Sequence, residues 1–203
     1  MLKQLEFIPL VNYHVDLPRV VAKIEIWQDY DAHYDCETLG EMVVRKALDR
    51  HLSGDRMIDD EDMSELINRC KQENLVFVPV YAYIHSGVYL NTNNTDYPFN
   101  CKWDTSFAGI IYAENEAIAE EYGDLSSESR GKTIACFETE LKTYQQFISG
   151  DVYGFSTLDA EGDTIDSCGG FFGADPFING MSEHIETRYH NLLKIAAESI
   201  KYG

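Results

Sequence analysis

Residues 76–112, VFVPVYAYIHSGVYLNTNNTDYPFNCKWDTSFAGIIY, contain the pattern that decides how this chain folds. Two runs rich in Val, Ile, Tyr and Phe, 76–84 and 107–112, flank a segment of turn-forming residues, which predicts two strands of one sheet. Pro79 lacks the backbone N–H that a central strand donates, so we expect an edge or a bulge at that position. Residues 85–87 predict a turn into a short returning strand.

The rest of the chain shows strand and helix patterns without a regular βαβα rhythm. Further strands are predicted at 20–27, 152–158 and 164–172, and helices at 38–53, 63–70, 114–122, 128–148 and 182–200. The helix at 38–53 rests on the capping-box spacing of Thr38 and Glu41. Strands early, in the middle and late in the chain predict the α+β class, with a mixed or mostly antiparallel sheet packed by several helices in a single compact domain. The predicted domain spans 1–203, and residues 1–75 are a candidate helical N-terminal lobe.

The composition is typical of a folded protein, since 44% of the 203 residues are hydrophobic and 12% are aromatic. The five cysteines are widely spaced without a CxxC pair, which argues against a disulfide framework and favours a reducing compartment. Residues 1–18 lack the features of a signal peptide, and no apolar run approaches the ~20 residues that a membrane span needs. We therefore expect a soluble, cytoplasmic protein without membrane association.

The net charge is −19, from 35 acidic and 16 basic residues spread along the chain. A field of that sign repels phosphates, so we expect no direct nucleic-acid binding. The charge either serves solubility or favours a partner protein with a basic surface. Two acidic clusters, one at a predicted helix start and one at a predicted hairpin tip, are candidate binding residues. They are Asp59, Asp60, Glu61 and Asp62, and Asp159, Glu161 and Asp163.

Several short motifs carry a resemblance to a known family. They are Tyr83, His85, Ser86 and Gly87; Phe99, Cys101, Trp103 and Asp104; Gly109, Ile111 and Tyr112; residues 150–155; and Asp166, Ser167, Cys168, Gly169, Gly170, Phe171 and Gly173. In these motifs the chain resembles an uncharacterised family of proteins carried by bacteriophages and other mobile elements of gut bacteria. It departs from the family pattern at 105–107, with Thr-Ser-Phe for Ser-Gly-Gln, and at Glu41, which replaces Thr. The resemblance implies a phage or mobile-element origin and action in the bacterial host cytoplasm, but it implies no activity.

His85, Asp104 and Cys168 are the candidate catalytic residues. A Cys nucleophile needs a base that removes its proton, and a His oriented by an Asp supplies one. The chain order His, Asp, Cys is compatible with this chemistry, because such triads recur in unrelated orders. The residues around Cys168 match no known cysteine-hydrolase signature, so an enzyme built on this set is an alternative hypothesis and not the main one.

The sequence predicts neither a metal nor a cofactor. The potential metal ligands are His85, Asp96, Cys101 and Asp104. Cys101 has no Cys or His partner at the short spacing of a zinc site. The acidic loop 159–163 has Gly in the fourth position, whereas a calcium hand needs it in the sixth. No glycine-rich phosphate-binding motif is present, which disfavours a nucleotide.

Trp103 is predicted to be buried, with an acceptor for its indole N–H, while Asp104 accepts from turn amides. The tyrosines of the same stretch form either an internal layer or an exposed binding face, because Tyr offers rigid apolar area with one polar tip. Tyr89 and Tyr97 are the candidates for an exposed face. The sequence leaves the two alternatives open.

The main functional hypothesis is an acidic accessory protein of a phage or mobile element, which binds and inhibits a host defence or nucleic-acid-processing protein. A small cysteine- and histidine-dependent enzyme is one alternative, and a structural or assembly component of a phage is another. A continuous acidic face with aromatics would favour the inhibitor. A cleft that holds the three candidate catalytic side chains within hydrogen-bond reach would favour the enzyme.

Overall fold

The structure is a computed structural model, which describes residues 19–34, 37–95 and 98–200. The strands are β1 (Lys23–Gln28), β2 (Glu41–Arg45), β3 (Arg56–Ile58), β4 (Val76–Ile84), β5 (Val88–Asn91), β6 (Thr105–Ala113), β7 (Val152–Leu158) and β8 (Thr164–Phe172). The α-helices are α1 (Asp60–Gln72), α2 (Asn115–Tyr122), α3 (Ser127–Ile148) and α4 (His190–Ile200), and short 3-10 turns occur at Lys46–Leu48, Met181–His184 and Thr187–Tyr189. The strands form two sheets in one compact domain, so the predicted α+β class is confirmed.

The stretch 76–112 supplies the centre of a five-stranded mixed sheet with the order β3-β2-β6-β4-β5. β4 pairs antiparallel with β6 along its length, but its other edge pairs with β5 only from Tyr81 onward. Pro79 therefore lies where β4 is paired on one side among the described residues, just before a register shift between Val80 and Tyr81. The edge and the bulge predicted from the proline are both found.

Helices cover both faces of this sheet. On one face, Val44 and Ile111 are buried together with Phe137 of α3. On the other face, their neighbours Val43 and Ile110 are buried against α1. Because successive residues of a strand point to opposite faces, β2 and the second half of β6 are buried continuously instead of alternately.

The helix predicted at 38–53 is wrong, because β2 and a 3-10 turn occupy this range. Met42, Val43 and Val44 are all buried, so a strand between two neighbours and two helical layers buries more apolar surface than a one-sided helix would. The N–H groups of Leu39 and Gly40, which lie between the two residues of the predicted capping box, donate instead to the carboxylate of Glu140 on α3. Tertiary packing has overridden a local helix pattern here.

A second sheet, with three antiparallel strands in the order β1-β7-β8, packs against α4 around the buried side chains of Phe155 and Leu193. The predicted hairpin of β7 and β8 is confirmed. The last helix begins at His190 and not at Ser182 as predicted, because Ile185 adopts an extended backbone between two 3-10 turns. The His190 ring nitrogen Nε2 lies 3.0 Å from the Ile185 carbonyl and so fixes the start of α4.

The remaining predicted elements are confirmed with small changes at their ends. Gly123 ends α2 in the left-handed conformation, with φ of 84°. β1 begins at Lys23, since Val20 is exposed. Residues 19–75 contribute strands to both sheets, and residues 1–18 of the predicted helical lobe lie outside the described part of the chain. In that described part, no helix is long and apolar enough to cross a membrane.

Candidate functional site

The structure brings His85 and Asp104 together but places Cys168 in the other sheet. His85 lies in the turn after β4, with its Nδ1 4.0 Å from Oδ2 of Asp104, the residue before β6. Cys168 is on β8 opposite Phe155, and its Sγ lies 3.7 Å from the carbonyl oxygen of Gly169. The predicted nucleophile is therefore not brought to the His85–Asp104 pair.

The thiol that meets Asp104 belongs to Cys101. Its Sγ lies 3.5 Å from the same Oδ2 that faces His85. In a thiol–imidazole–carboxylate relay the imidazole stands between the other two groups and receives the thiol proton. Here the carboxylate stands between the thiol and the ring, so this cluster lacks the order that nucleophilic catalysis needs.

The potential metal ligands do not converge. Among the described residues, no group of three or more His, Cys, Asp and Glu side chains is arranged to hold a metal ion, and Asp96 lies outside those residues. At the hairpin tip, Asp159 Oδ1 accepts the N–H groups of Glu161 and Asp163, at 3.1 and 2.8 Å. Asp159 thus shapes its own turn, and Glu161 and Asp163 remain exposed.

Trp103 was predicted to be buried, and this is wrong: its relative exposure is 94%. The turn that begins at residue 98 directs Phe99 into the protein, where it is 8% exposed and packs near Tyr83 with ring centres 6.4 Å apart. The indole of Trp103, which directly precedes Asp104, points to solvent instead. Trp103 is thus a surface residue next to the His85 turn.

The tyrosines divide between core and surface. Tyr112 is buried, whereas Tyr89 is 48% exposed on β5, with its ring centre 6.2 Å from that of Tyr83. Tyr97, the other predicted surface tyrosine, lies outside the described residues. Burial and a hydrogen bond to Glu41 raise the pKa of Tyr112 to about 12, so its hydroxyl remains a donor at neutral pH.

The first acidic cluster, here called the acidic helix start, comprises Asp59, Asp60, Glu61 and Asp62 at the beginning of α1. All four side chains are exposed. Arg45 binds Asp60 through two hydrogen bonds of 2.7 Å, and these bonds lower the pKa of the Asp60 carboxyl. Asp59 lies 3.9 Å from Lys46. Two of the four charges are therefore paired with bases, and these pairs were not predicted from the sequence.

Another acidic surface is formed by two adjoining clefts on the α3 face of the sheet, here together called the acidic groove. The aromatic cleft has a volume of about 230 Å³ and is lined by Tyr34, Thr38, Gly40, Met42, Ser53, Gly54, Asp55, Ile111, Glu140, Leu141, Tyr144 and Phe147. The glutamate cleft has a volume of about 470 Å³ and is lined by Glu37, Thr38, Leu39, Ala117, Glu120, Glu121, Tyr122, Cys136 and Glu140. None of these lining residues is Lys, Arg or His.

Glu140 lies at the boundary of the two clefts and is fixed by the backbone. The N–H of Leu39 donates to its Oε1 at 2.5 Å, and the N–H of Gly40 lies 3.3 Å from its Oε2. Gly40 permits this approach, because a Cβ there would lie 2.4 Å from Ile111 and 2.6 Å from Phe137. The chain before β2 is thereby held against α3 at the boundary of the two clefts.

The opposite wall of the aromatic cleft is fixed in the same way. The N–H of Met42 donates to Oδ2 of Asp55 at 2.6 Å. The buried hydroxyl of Tyr144 accepts the N–H of Ser53 at 3.1 Å and donates to the carbonyl of the same residue. The two carboxylates of the cleft are therefore positioned by tertiary hydrogen bonds and not by flexible side-chain rotamers.

Cys136 does not give the glutamate cleft a nucleophile. Burial, followed by the charge of Glu140, raises the pKa of its thiol to about 11. The thiol Sγ lies 3.5 Å from Oε1 of Glu140, to which it donates. Because only the thiolate attacks, a thiol that remains protonated at neutral pH is unreactive. The thiol of Cys136 is therefore not a thiolate nucleophile at neutral pH.

The acids of the groove were missed at the level of sequence because they are isolated, ordinary surface acids of separate segments. Glu37 precedes β2, Asp55 precedes β3, Glu120 and Glu121 lie on α2, and Glu140 lies on α3. No spacing rule connects such positions before the fold is known.

No protein-family model, curated protein or solved structure matches this chain.

Proposed function

We propose that this chain acts by binding a protein with a basic surface, and that the acidic groove receives that surface. The observation that carries the proposal is the convergence of five carboxylates from four segments, without a basic residue among those that line the groove. Such a concave surface concentrates negative potential, which Lys and Arg side chains of a partner would neutralise. The net charge of −19 adds long-range attraction, which raises the rate of association.

The proposed partner is a host defence or nucleic-acid-processing protein in the cytoplasm of a bacterium. The resemblance of the motifs to phage and mobile-element proteins supports a role directed at a host. Proteins that hold nucleic acids carry Lys and Arg for the phosphates. A groove of carboxylates competes for the same side chains, so occupation of a basic surface would inhibit the partner without any chemical step.

The test compares two double variants that remove the same number of charges. Glu120→Gln with Glu121→Gln removes two of the charges of the groove. Glu61→Gln with Asp62→Asn removes the two charges of the helix start that are not paired with a base among the described residues. Immobilised protein captures partners from a lysate of a gut bacterium, and association and dissociation of a captured protein are then measured at low and moderate salt.

We expect the groove variant to dissociate about tenfold faster, because contacts at the centre of an interface act on the dissociation rate. The helix-start variant should mainly slow association, by a few-fold, as distant charges do. Both rates should depend on salt, since exposed charges are screened beyond ~8–10 Å. A partner without a basic surface, or a groove variant that behaves as the unmodified protein, would refute the proposal.

A further inference from the structure

We propose that the aromatic cleft binds a guanidinium group, such as the end of an arginine side chain. This inference rests on the proposed function for its source of the ligand, but its chemistry depends only on the cleft. Three aromatic side chains and two carboxylates face one small space. They are Tyr34, Tyr144 and Phe147, with Asp55 and Glu140.

The volume of the cleft limits the ligand to the size of a side chain. Clefts that bury drug-sized ligands measure ~300–1,000 Å³. The aromatic cleft, at about 230 Å³, is below that range. A guanidinium with three or four methylene groups fits a space of this size, and a phosphate would meet two carboxylates without a cation to offset them.

The carboxylates are arranged in advance for a donor with several N–H groups. Each one accepts backbone N–H groups, from Leu39 and Gly40 on Glu140 and from Met42 on Asp55. Glu140 also accepts from the thiol of Cys136. A carboxylate has about four lone-pair positions, so both carboxylates retain an acceptor for a ligand. Because the backbone already orders them, binding costs little side-chain entropy.

The aromatic rings favour guanidinium over an ammonium group. The ring of Tyr34 lies 5.4 Å from that of Tyr144 and 5.5 Å from that of Phe147, so the three rings form a continuous wall. A guanidinium is planar, stacks on aromatic faces and is weakly hydrated, whereas an ammonium is a compact and strongly hydrated charge. The combination of a ring wall and two fixed carboxylates therefore selects the planar cation.

The test uses n-butylguanidinium and, as its uncharged counterpart of equal shape, n-butylurea. Binding is followed by amide NMR shifts of Gly40, Ser53 and Gly54, which surround the cleft. The first variants are Glu140→Gln and Asp55→Asn, which remove the charge. The single amide oxygen of each can still accept a backbone N–H, that of Leu39 or Gly40 in the first and that of Met42 in the second. Glu138→Gln on the same helix is the control, because it removes one exposed charge that does not line the cleft.

We expect saturable binding of n-butylguanidinium, weaker binding of n-butylammonium and none of the urea. Each of the two cleft variants should lower the affinity for n-butylguanidinium by about tenfold, because a charge-assisted hydrogen bond is lost. Glu138→Gln should not change this affinity. Equal binding of the urea and the guanidinium would overturn the proposal, and so would equal effects of the cleft variants and the control.

The source of the guanidinium is decided by a short peptide with one central arginine and blocked ends. If the peptide binds more tightly than n-butylguanidinium, the cleft serves an arginine of a protein partner. If it binds more weakly, the cleft serves a small free guanidine, and the inference stands although the proposed function fails. Failure of every guanidinium probe, while a basic protein is still captured, would overturn the inference alone.

Discussion

The acidic groove and the acidic helix start both gather carboxylates, but they differ in what surrounds each charge. At the helix start, Arg45 binds Asp60 and Lys46 lies near Asp59, so half of the cluster has a basic neighbour. In the groove, five carboxylates from four segments face two clefts whose lining residues include no base. The acids of the helix start are neighbours in the sequence, and half of them are paired with bases. The acids of the groove are distant in the sequence, and only the fold brings them together.

The two regions also differ in how far their own structure explains the charges. Acids in the first turn of a helix stabilise it by ~0.3–1 kcal/mol through the helix dipole, which accounts for residues 59–62 without a ligand. In the groove, Glu140 and Asp55 bind backbone amides, but Glu37, Glu120 and Glu121 are exposed and neither cap nor start an element. These three have no structural role among the described contacts, so the groove is the better candidate for a binding surface.

The largest expected effect comes from the wall of the groove. Tyr144→Ala should lower the free energy of unfolding by about 3–5 kcal/mol, because the ring is buried in the main core and its loss leaves a cavity. Tyr144→Phe should cost only about 1 kcal/mol, since it removes the hydroxyl bonds to Ser53 and keeps the ring. Urea denaturation measures both. Equal stability of the two variants would mean that the wall is not part of the core.

The field inside the groove can be measured through Cys136. Its alkylation rate should rise with pH to a midpoint of about 11, because burial and then the Glu140 charge raise the pKa of the thiol. Glu140→Gln should lower that midpoint by removing the second cause, whereas Glu138→Gln should leave it unchanged. A midpoint near ~8.5, the value of a free thiol, would show that the groove lacks this field.

Most of the fold was predictable because local pattern and tertiary environment agree. The stripe of α1, the left-handed Gly123 after α2 and the hairpin of β7 and β8 satisfy local rules and were predicted correctly. The range 38–53 failed because two-sided burial of Met42 to Val44 outweighs a capping-box spacing. No local rule reports that a segment will be covered on both faces.

The site was much less predictable than the fold. Trp103 illustrates the reason: its neighbourhood is apolar in sequence, but Phe99 occupies the available core position and leaves the indole outside. The groove acids illustrate it again, because each one is unremarkable until α2, α3 and the segments before β2 and β3 are brought together. Composition predicted an acidic binding protein, and only tertiary contacts could choose among its acids.

The smallest expected effect on stability is that of Trp103→Ala. Because the side chain is 94% exposed, we expect a change within about 0.5 kcal/mol, as for surface substitutions in general. Urea denaturation measures the free energy of unfolding of this variant and of Tyr144→Ala, and so compares a residue at the end of the sheet with one in the wall of the groove. A decrease of several kcal/mol in the free energy of unfolding would instead support the buried position that was predicted from the sequence.

Trp103 also reports where a partner binds, because it lies on the His85 turn side of the sheet and does not line the groove. The chain has two tryptophans, and Trp27 is the less exposed of them at 38%. The part of the acrylamide quenching of tryptophan fluorescence that is lost in Trp103→Phe is therefore due to Trp103. If the partner occupies the groove, this quenching should persist in the complex, while Glu120→Gln with Glu121→Gln weakens binding. If the complex instead protects Trp103, and Trp103→Phe weakens binding without loss of stability, the exposed aromatic turn is the anchor, since buried Trp side chains dominate many interfaces.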